Sequence, residues 1–349
     1  MKSVEIAGRK LGPGHPVFIV AEAGVNHNGS LEMAKQLVDI AAKAGADAVK
    51  FQTFKSERLV SIDAPKALYQ IKVTEPRESQ FEMLKRLELS FSDFRNLSDY
   101  CQKKKILFFS TPFDKESLNF LNELEVPVFK IGSGEITNFP FLEYAARKRK
   151  PMILSTGMSH LGEVEQAVKI IRNAGCNQLV LLHCVSNYPA DPAEVNLRAI
   201  KTMMESFQIP IGYSDHTTGV DIAIAAVALG ACVIEKHMTI DRALPGPDHQ
   251  ASLEPSEFKT MVTKIRTVEL ALGNGRKAPT ASELENQKII GRSLAAVFDI
   301  PKGTVLILNM LQALRPATGI SPTEITTVVG RRVKRALKSG QLVHWDDLE

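Results

Sequence analysis

The sequence predicts an α/β chain, a (β/α)8 barrel of the TIM type followed by a small α+β domain. Three observations carry this expectation. Short β-branched or aromatic runs alternate with longer helical patterns eight times within about 270 residues. None of these runs leads into the G-x-G-x-x-G turn expected of the rival arrangement, a doubly wound open sheet. The texture then changes, and residues 291–349 read as short strands punctuated by the turns PKG and KSG.

The predicted strands are 17–23 (VFIVAEA), 48–54 (AVKFQTF), 106–112 (ILFFSTP), 128–133 (VFKIGS), 152–157 (MILSTG), 179–186 (LVLLHCVS), 210–216 (PIGYSDH) and 232–239 (CVIEKHMT). Helices are predicted between them. Segment 30–45 opens with Ser30 as N-cap and stops at Gly45. Segments 163–175 and 256–273 follow the same scheme, the latter with Ser256 as cap. The apolar run at 222–234 is too short for a membrane span and is split by Gly230, so it reads as a buried helix and then a buried strand. Residues 55–90 form a polar insertion after the second strand, expected on the catalytic face. The domain boundaries are 1–275 for the barrel, 276–290 for a polar, flexible linker and 291–349 for the small domain, with SLAAVFDI and RRVKRAL as its strands.

Composition narrows the function. The chain has 349 residues, 44% hydrophobic and 23% charged, enough for a sizeable core. A net charge of +4 suits an anionic small substrate and predicts no nucleic-acid partner. The four cysteines, Cys101, Cys176, Cys184 and Cys232, form no C-x-x-C pair and read as reduced, buried thiols. With no apolar leader in MKSVEIAGRK, the expectation is a cytoplasmic protein that does not enter the membrane.

In such a barrel the chemistry gathers at the C-terminal strand ends. Every predicted strand here ends in polar residues after an apolar body. The first ends in Glu22. The second carries Lys50 and Gln52, two apart and so on one face. The third ends in Ser110 and Thr111, the fourth in Lys130, Ser133 and Glu135, the fifth in Ser155 and Thr156. The sixth ends near Ser186 and Tyr188, the seventh in Ser214, Asp215 and His216, the eighth in Glu235, Lys236 and His237. Lys50, Lys130, Ser133, Ser155 and Ser214 make an anion cradle of two ammonium groups and three hydroxyls, suited to a phosphate. His216 and His237 end neighbouring strands, where two imidazoles can share a divalent ion or serve as hydrogen-bonding or general-base groups. His27 and His249 fall in loops of the same face, His183 in the core, and His15, His160 and His344 on the surface.

The segments VAEAGVNHNGS (20–30), AVKFQTF (48–54), FKIGSGE (129–135), ILSTGM (153–158), GYSDHT (212–217), IEKHMT (234–239) and PGPDHQASLEP (245–255) closely resemble the sialic acid synthases, in order across the barrel. SLAAVFDIPKGTVL and RPATGI resemble the antifreeze-like (SAF) domain that ends those enzymes. The resemblance implies a phosphoenolpyruvate-dependent transferase that forms a C–C bond to N-acetylmannosamine or a related N-acyl hexosamine and releases phosphate. By position it implies Mn2+, or another divalent cation such as Mg2+ or Co2+, on His216 and His237. Phosphoenolpyruvate would lie on Lys50, Lys130, Ser133, Ser155 and Ser214, and Glu22 would be the acid–base group. Gln52, Tyr188 and Asp248 would face the sugar, and Arg315 would reach it from the partner of a domain-swapped homodimer. Ser186 stands where synthases of N-acetylneuraminate often carry Asn, so legionaminic or pseudaminic acid synthesis from a 2,4-diacetamido-trideoxyhexose is the alternative. Two other classes compete on the residues alone: a Schiff-base aldolase using Lys50, Lys130 or Lys236, and a non-enzymatic sugar- or ice-binding protein.

Overall fold

The computed structural model describes residues 3–75 and 77–349 and divides into two compact units, Met1–Gly273 and Asn274–Glu349. The first opens with a hairpin that periodicity did not reveal, β1 (Val4–Ile6) and β2 (Arg9–Leu11), whose strands are only three residues long. Eight parallel strands follow: β3 (Phe18–Gly24), β4 (Ala48–Thr53), β5 (Leu107–Pro112), β6 (Phe129–Ile131), β7 (Met152–Ser155), β8 (Leu179–Cys184), β9 (Ile211–Asp215) and β10 (Val233–His237). They run in the order β5-β4-β3-β10-β9-β8-β7-β6, and β5 packs beside β6 without a hydrogen-bonded ladder, so the sheet is a nearly closed barrel.

Local chemistry explains the helices. Ser30 caps helix Leu31–Ala44 by accepting from the Met33 amide, and the helix stops at Gly45, whose φ of 85° is left-handed. The helix predicted from Ser256 begins one residue earlier: Pro255 takes the first helical position, where its missing N–H costs nothing, and Glu254 is the cap. The helix predicted at 163–175 is Leu161–Asn173. The apolar run at 222–234 resolves into helix Asp221–Ala228 and the start of β10. These faces close on one apolar core, with Val49, Phe51, Phe109, Ile131, Leu154 and Ile234 essentially inaccessible.

The insertion at 55–90 is more ordered than its polarity suggested. It carries helices Ser56–Leu59, Leu68–Val73 and Gln80–Leu87. Met83 and Leu87 pack with Val25 and Phe54 in a small separate core, which pins the insertion to the loops after β3 and β4.

In the second unit β11 (Ser293–Ala296) pairs antiparallel with β12 (Leu311–Leu314) over a core that includes Leu294, Ile300, Leu306, Val333 and Val343. The predicted strand RRVKRAL forms only isolated bridges, Arg332 to Val305, Val333 to Leu348 and Leu337 to Ile300. Within 276–290, helix Ala281–Ile290 replaces the expected irregular segment; Thr280 and Glu283 cap it reciprocally. Its residues are all exposed, so no apolar stripe marked it in the sequence.

The barrel interior has one tight point. A Cβ at Gly212 in β9 would lie 2.6 Å from the Val233 carbonyl and 2.6 Å from Leu182 Cδ2. Overpacking of this kind costs about 1–3 kcal/mol. Gly212→Ala should therefore lower the melting temperature by several degrees, read by thermal unfolding; an unchanged midpoint would show that the barrel yields there.

Candidate active site

Strand register builds the site. Glu22 in β3 is level with Lys50 in β4 and with His237 in β10, and Glu235 in β10 is level with Ser214 in β9. Because side chains alternate along a strand, Glu22, Lys50, Gln52, Glu235 and His237 point into the barrel mouth. Lys236, between Glu235 and His237, points the other way and is fully buried beside Asp215. It therefore offers no amine to a substrate, which removes it as a Schiff-base candidate.

The buried groups form one charge network. Lys50 Nζ lies 2.7 Å from Glu22 Oε2 and 3.8 Å from Glu235 Oε2, and donates to Thr111 Oγ1 at 3.0 Å. Lys130 Nζ lies 3.6 Å from Glu235 Oε1 and donates to Ser155 Oγ at 2.7 Å. Ser214 Oγ donates to Glu235 Oε1 at 2.9 Å. Gln52 Nε2 donates to Glu22 Oε1 at 3.2 Å. Burial works against the Lys50 ammonium, but Glu22 and Glu235 outweigh it and hold its pKa above the usual lysine value. Lys130 is lowered, because Glu235 only partly offsets its burial. Burial likewise pushes Glu22 up to about 7 against the pull of Lys50, with Glu235 adding to the rise. Glu235 ends below the ordinary value, since the two lysines overcome its burial.

The remaining cradle members converge on the same space. Ser133 Oγ accepts from the Gly157 amide at 3.0 Å and touches Cys184 Sγ at 3.2 Å. A Cβ at Gly157 would strike Ser186 Oγ at 2.3 Å, so glycine is needed for this close approach. Ser133 Oγ would lie 2.9 Å from the same Cβ, so both hydroxyls crowd this glycine.

The two histidines suit a cation. His216 shares a 2.6 Å hydrogen bond between Nδ1 and the Val185 carbonyl; with Nδ1–H as donor, the Nε2 lone pair faces Ser214 Oγ at 3.4 Å, whose proton goes to Glu235. His237 Nδ1 is buried without a hydrogen-bond partner, 3.7 Å from Asp248 Oδ2. Burial lowers His216 to about 4 and His237 well below the usual value, so both rings are neutral and able to ligate. Their centroids are 5.4 Å apart. Among the described residues no group of three His, Cys, Asp or Glu side chains is arranged to hold an ion, so the protein itself offers two nitrogens. Asp248 is raised to about 6 by its burial, partly offset by Lys50.

Tyr188 lies against His216, with centroids 4.1 Å apart and planes tilted by 36°, and stands edge-on to His237 at 5.4 Å. Tyr69, from the insertion, lies over Tyr188 at 5.1 Å. Eleven of the twelve predicted site residues therefore gather at one barrel mouth: Glu22, Lys50, Gln52, Lys130, Ser133, Ser155, Tyr188, Ser214, His216, His237 and Asp248. The twelfth, Arg315, belongs to the second unit, exposed just after β12. His27 and His249, read as lying in loops of the active face, hold those loops together. His27 Nδ1 accepts from the Gly29 amide, and His249 bridges Thr239 and Asn28. His344, expected at the surface, is half-buried. Sequence reasoning set Glu235 at the eighth strand end without giving it a role, and it overlooked Tyr69. Glu235 was recoverable, since it shares its strand face with His237 two residues on. Tyr69 gave no signal, because its insertion lacks a periodic pattern.

A barrel mouth with a buried cation pair, hydroxyls and two neutral imidazoles defines an enzyme of anionic small molecules. Residues 37–277 match the NeuB family and residues 291–349 the SAF domain, and the chain belongs to the NeuB family of sialic acid synthases, transferases that form C–C bonds. It is 48% identical over 336 residues to N,N'-diacetyllegionaminic acid synthase of Legionella pneumophila, covering 95% of this chain and 94% of that one. It is 40% identical over 328 residues to N-acetylneuraminate-9-phosphate synthase of Homo sapiens, covering 93% and 91%. The crystal structure of the sialic acid synthetase of Leptospira borgpetersenii in complex with citrate superposes with a TM-score of 0.73 at 41% identity, over 82% of this chain and 95% of that one. Among the described residues no helix is long and apolar enough to cross a membrane, and the four cysteines are free and buried.

Removing one partner of a buried pair costs about 3–5 kcal/mol, since the other charge is left uncompensated. Glu235→Gln should accordingly destabilise the ligand-free protein. Inorganic phosphate should then raise the variant's melting temperature more than the wild type's, because an anion can replace the lost carboxylate. An equal phosphate shift in both proteins would separate Glu235 from the anion cradle.

Proposed function

We propose that this protein condenses phosphoenolpyruvate with an N-acylated amino sugar to give a nine-carbon 2-keto acid, with a 2,4-diacetamido-trideoxyhexose of the legionaminic type as the acceptor. The observation that carries the reaction is the pairing of the Lys50–Lys130 cradle with two neutral imidazoles in one mouth. The acceptor is argued from the 48% identity to two N,N'-diacetyllegionaminic acid synthases, against 40% to the human N-acetylneuraminate-9-phosphate synthase, and from Ser186 at the position that synthases of N-acetylneuraminate often fill with Asn.

In this reading Lys50, Lys130, Ser133, Ser155 and Ser214 hold the phosphate and carboxylate of phosphoenolpyruvate. His216 and His237 hold a divalent cation, with Mn2+ the first choice and Mg2+ or Co2+ as substitutes, and the ion would supply Lewis-acid polarisation of the acceptor's aldehyde. Gln52, Tyr188 and Asp248 orient the sugar. The C3 carbon of phosphoenolpyruvate bonds to the aldehyde carbon, whose oxygen becomes a hydroxyl on taking the proton that Glu22 relays from the added water. Water adds to the cationic C2, and Glu22, raised to about 7, is suited to take its proton. The C2–O bond then breaks, phosphate leaves with the bridging oxygen and takes up the C2 hydroxyl proton, and C2 becomes the ketone. Lys50 and Lys130 offset the phosphate charge throughout.

The test is a phosphate-release assay with phosphoenolpyruvate and three acceptors: N-acetylmannosamine and the two 2,4-diacetamido sugars that lead to legionaminic and pseudaminic acid. The legionaminic precursor should give the highest kcat/KM, chelator should abolish turnover, and Mn2+ should restore it. Preference for N-acetylmannosamine would overturn the choice of sugar; full turnover in metal-free enzyme would overturn the role of the histidines.

The domain-swapped homodimer belongs to the same proposal. A domain of about 60 residues buries little surface alone, and Arg315 has a planar fork suited to an acyl carbonyl. Subunit mixing tests it, using Glu22→Gln, inactive in the barrel, and Arg315→Ala, inactive in the tail. If Arg315 serves the partner's barrel, random equal mixing restores roughly a quarter of normal activity, because each mixed dimer has one intact site. If it serves its own barrel, mixed dimers stay inactive.

A further inference from the structure

Asp215 and Lys236 are each completely buried, on the side of the sheet away from the barrel mouth. They play no part in the chemistry proposed above. Lys236 Nζ lies 2.8 Å from Asp215 Oδ2 and also donates to the Thr217 carbonyl. The other carboxylate oxygen of Asp215 accepts from the Thr217 amide at 2.9 Å and the Thr217 hydroxyl at 2.8 Å, with the Tyr213 hydroxyl at 3.4 Å. Glu257 and Arg242 are the further charges felt by Lys236.

The position of this pair is informative. Asp215 precedes His216 and Lys236 precedes His237. Lys236 opposite Asp215 is also the last paired position between β9 and β10. Beyond it the strands part company: the His216 carbonyl accepts from the Ala190 amide, and the His237 carbonyl accepts from the Leu253 amide. Past that point no backbone ladder sets the distance between the two imidazoles. The ion pair is the last cross-link before they diverge.

We propose that the buried Asp215–Lys236 pair positions His216 against His237 and so sets the affinity of the site for its divalent cation. The proposal rests on the reading that these histidines hold the ion. A buried pair is a poor device for stability alone, because apolar residues of similar volume often serve as well. What an ion pair adds is a fixed length and direction. Outer partners that orient metal ligands typically change affinity by about 10–100-fold when lost.

The experiment titrates Mn2+ alone into the full-length protein and reads free Mn2+ by electron paramagnetic resonance. The double variant Asp215→Leu/Lys236→Met removes both charges without leaving either unpaired. It should fold, and its Mn2+ dissociation constant should rise about 10–100-fold, with saturating Mn2+ recovering most of the turnover. Should the double variant fail to fold, Thr217→Val removes one bond to Asp215 and no charge, and it should weaken Mn2+ in the same direction. Wild-type affinity in a folded variant of either kind would overturn the proposal. His237→Ala and the wild type are run alongside. If the wild type binds Mn2+, His237→Ala does not, and the double variant matches the wild type, the positioning role alone fails. If the wild type and His237→Ala bind alike, the assignment of the histidines fails and this proposal with it.

Discussion

Two ammonium groups buried side by side repel each other, and both lose their hydration. Lys50 and Lys130 are held in the barrel mouth only because Glu235 stands between them, 3.8 Å from one and 3.6 Å from the other. Glu22 supplies the second negative charge at 2.7 Å from Lys50. Much of the site follows from this balance. The lysines must come from different strands to reach one carboxylate, so the barrel has to close far enough to bring β4 and β6 towards β10. Ser214, Thr111 and Ser155 fill the hydrogen-bonding capacity the ion pairs leave over, as a low-dielectric interior demands.

The same balance gives the site its chemical character. In the proposed reading, a cradle already neutralised by two carboxylates would bind an anion by exchanging partners rather than by attracting it with free charge. Such exchange favours a ligand that fits the positions Glu235 now serves, and it disfavours stray anions of the wrong shape. Glu22, raised by burial and by Glu235, sits where a group able to take up and release a proton is useful. Polar charge work is thereby confined to one end of β3, β4, β6 and β10, while the opposite ends bury only apolar residues.

The outer layer of the site is built differently. Tyr188 lies against both imidazoles and Tyr69 lies over Tyr188, and Tyr69 arrives on an insertion that has its own small core of Val25, Phe54, Met83 and Leu87. Apolar anchoring of a polar segment lets it present a ring at a fixed height without joining the barrel. The floor handles charge through strand register, and the roof handles shape through a packed insertion. In the proposed reading, that division would let one reaction be kept while acceptors differ.

The sequence by itself determined the barrel, because eight alternating strand and helix patterns leave few other folds for a chain of this length. It also determined which residues stand at the mouth, since a two-residue spacing puts Lys50 with Gln52, and Glu235 with His237, on one face. Thr280 and Glu283 even carried the capping signal of a helix that the polarity of 276–290 concealed. Only the tertiary structure decided the pairings. Which carboxylate neutralises which lysine depends on the stagger of strands far apart in the chain, as when Glu22 faces both Lys50 and His237. Whether a histidine keeps a free nitrogen or clasps a loop depends on its neighbours: His237 keeps an unpartnered nitrogen, while His249 gives both of its own to Thr239 and Asn28. Local patterns report the period of the backbone and therefore the face a side chain takes. Distances across a closed sheet come from the packing of the whole barrel, and no short stretch of sequence contains them.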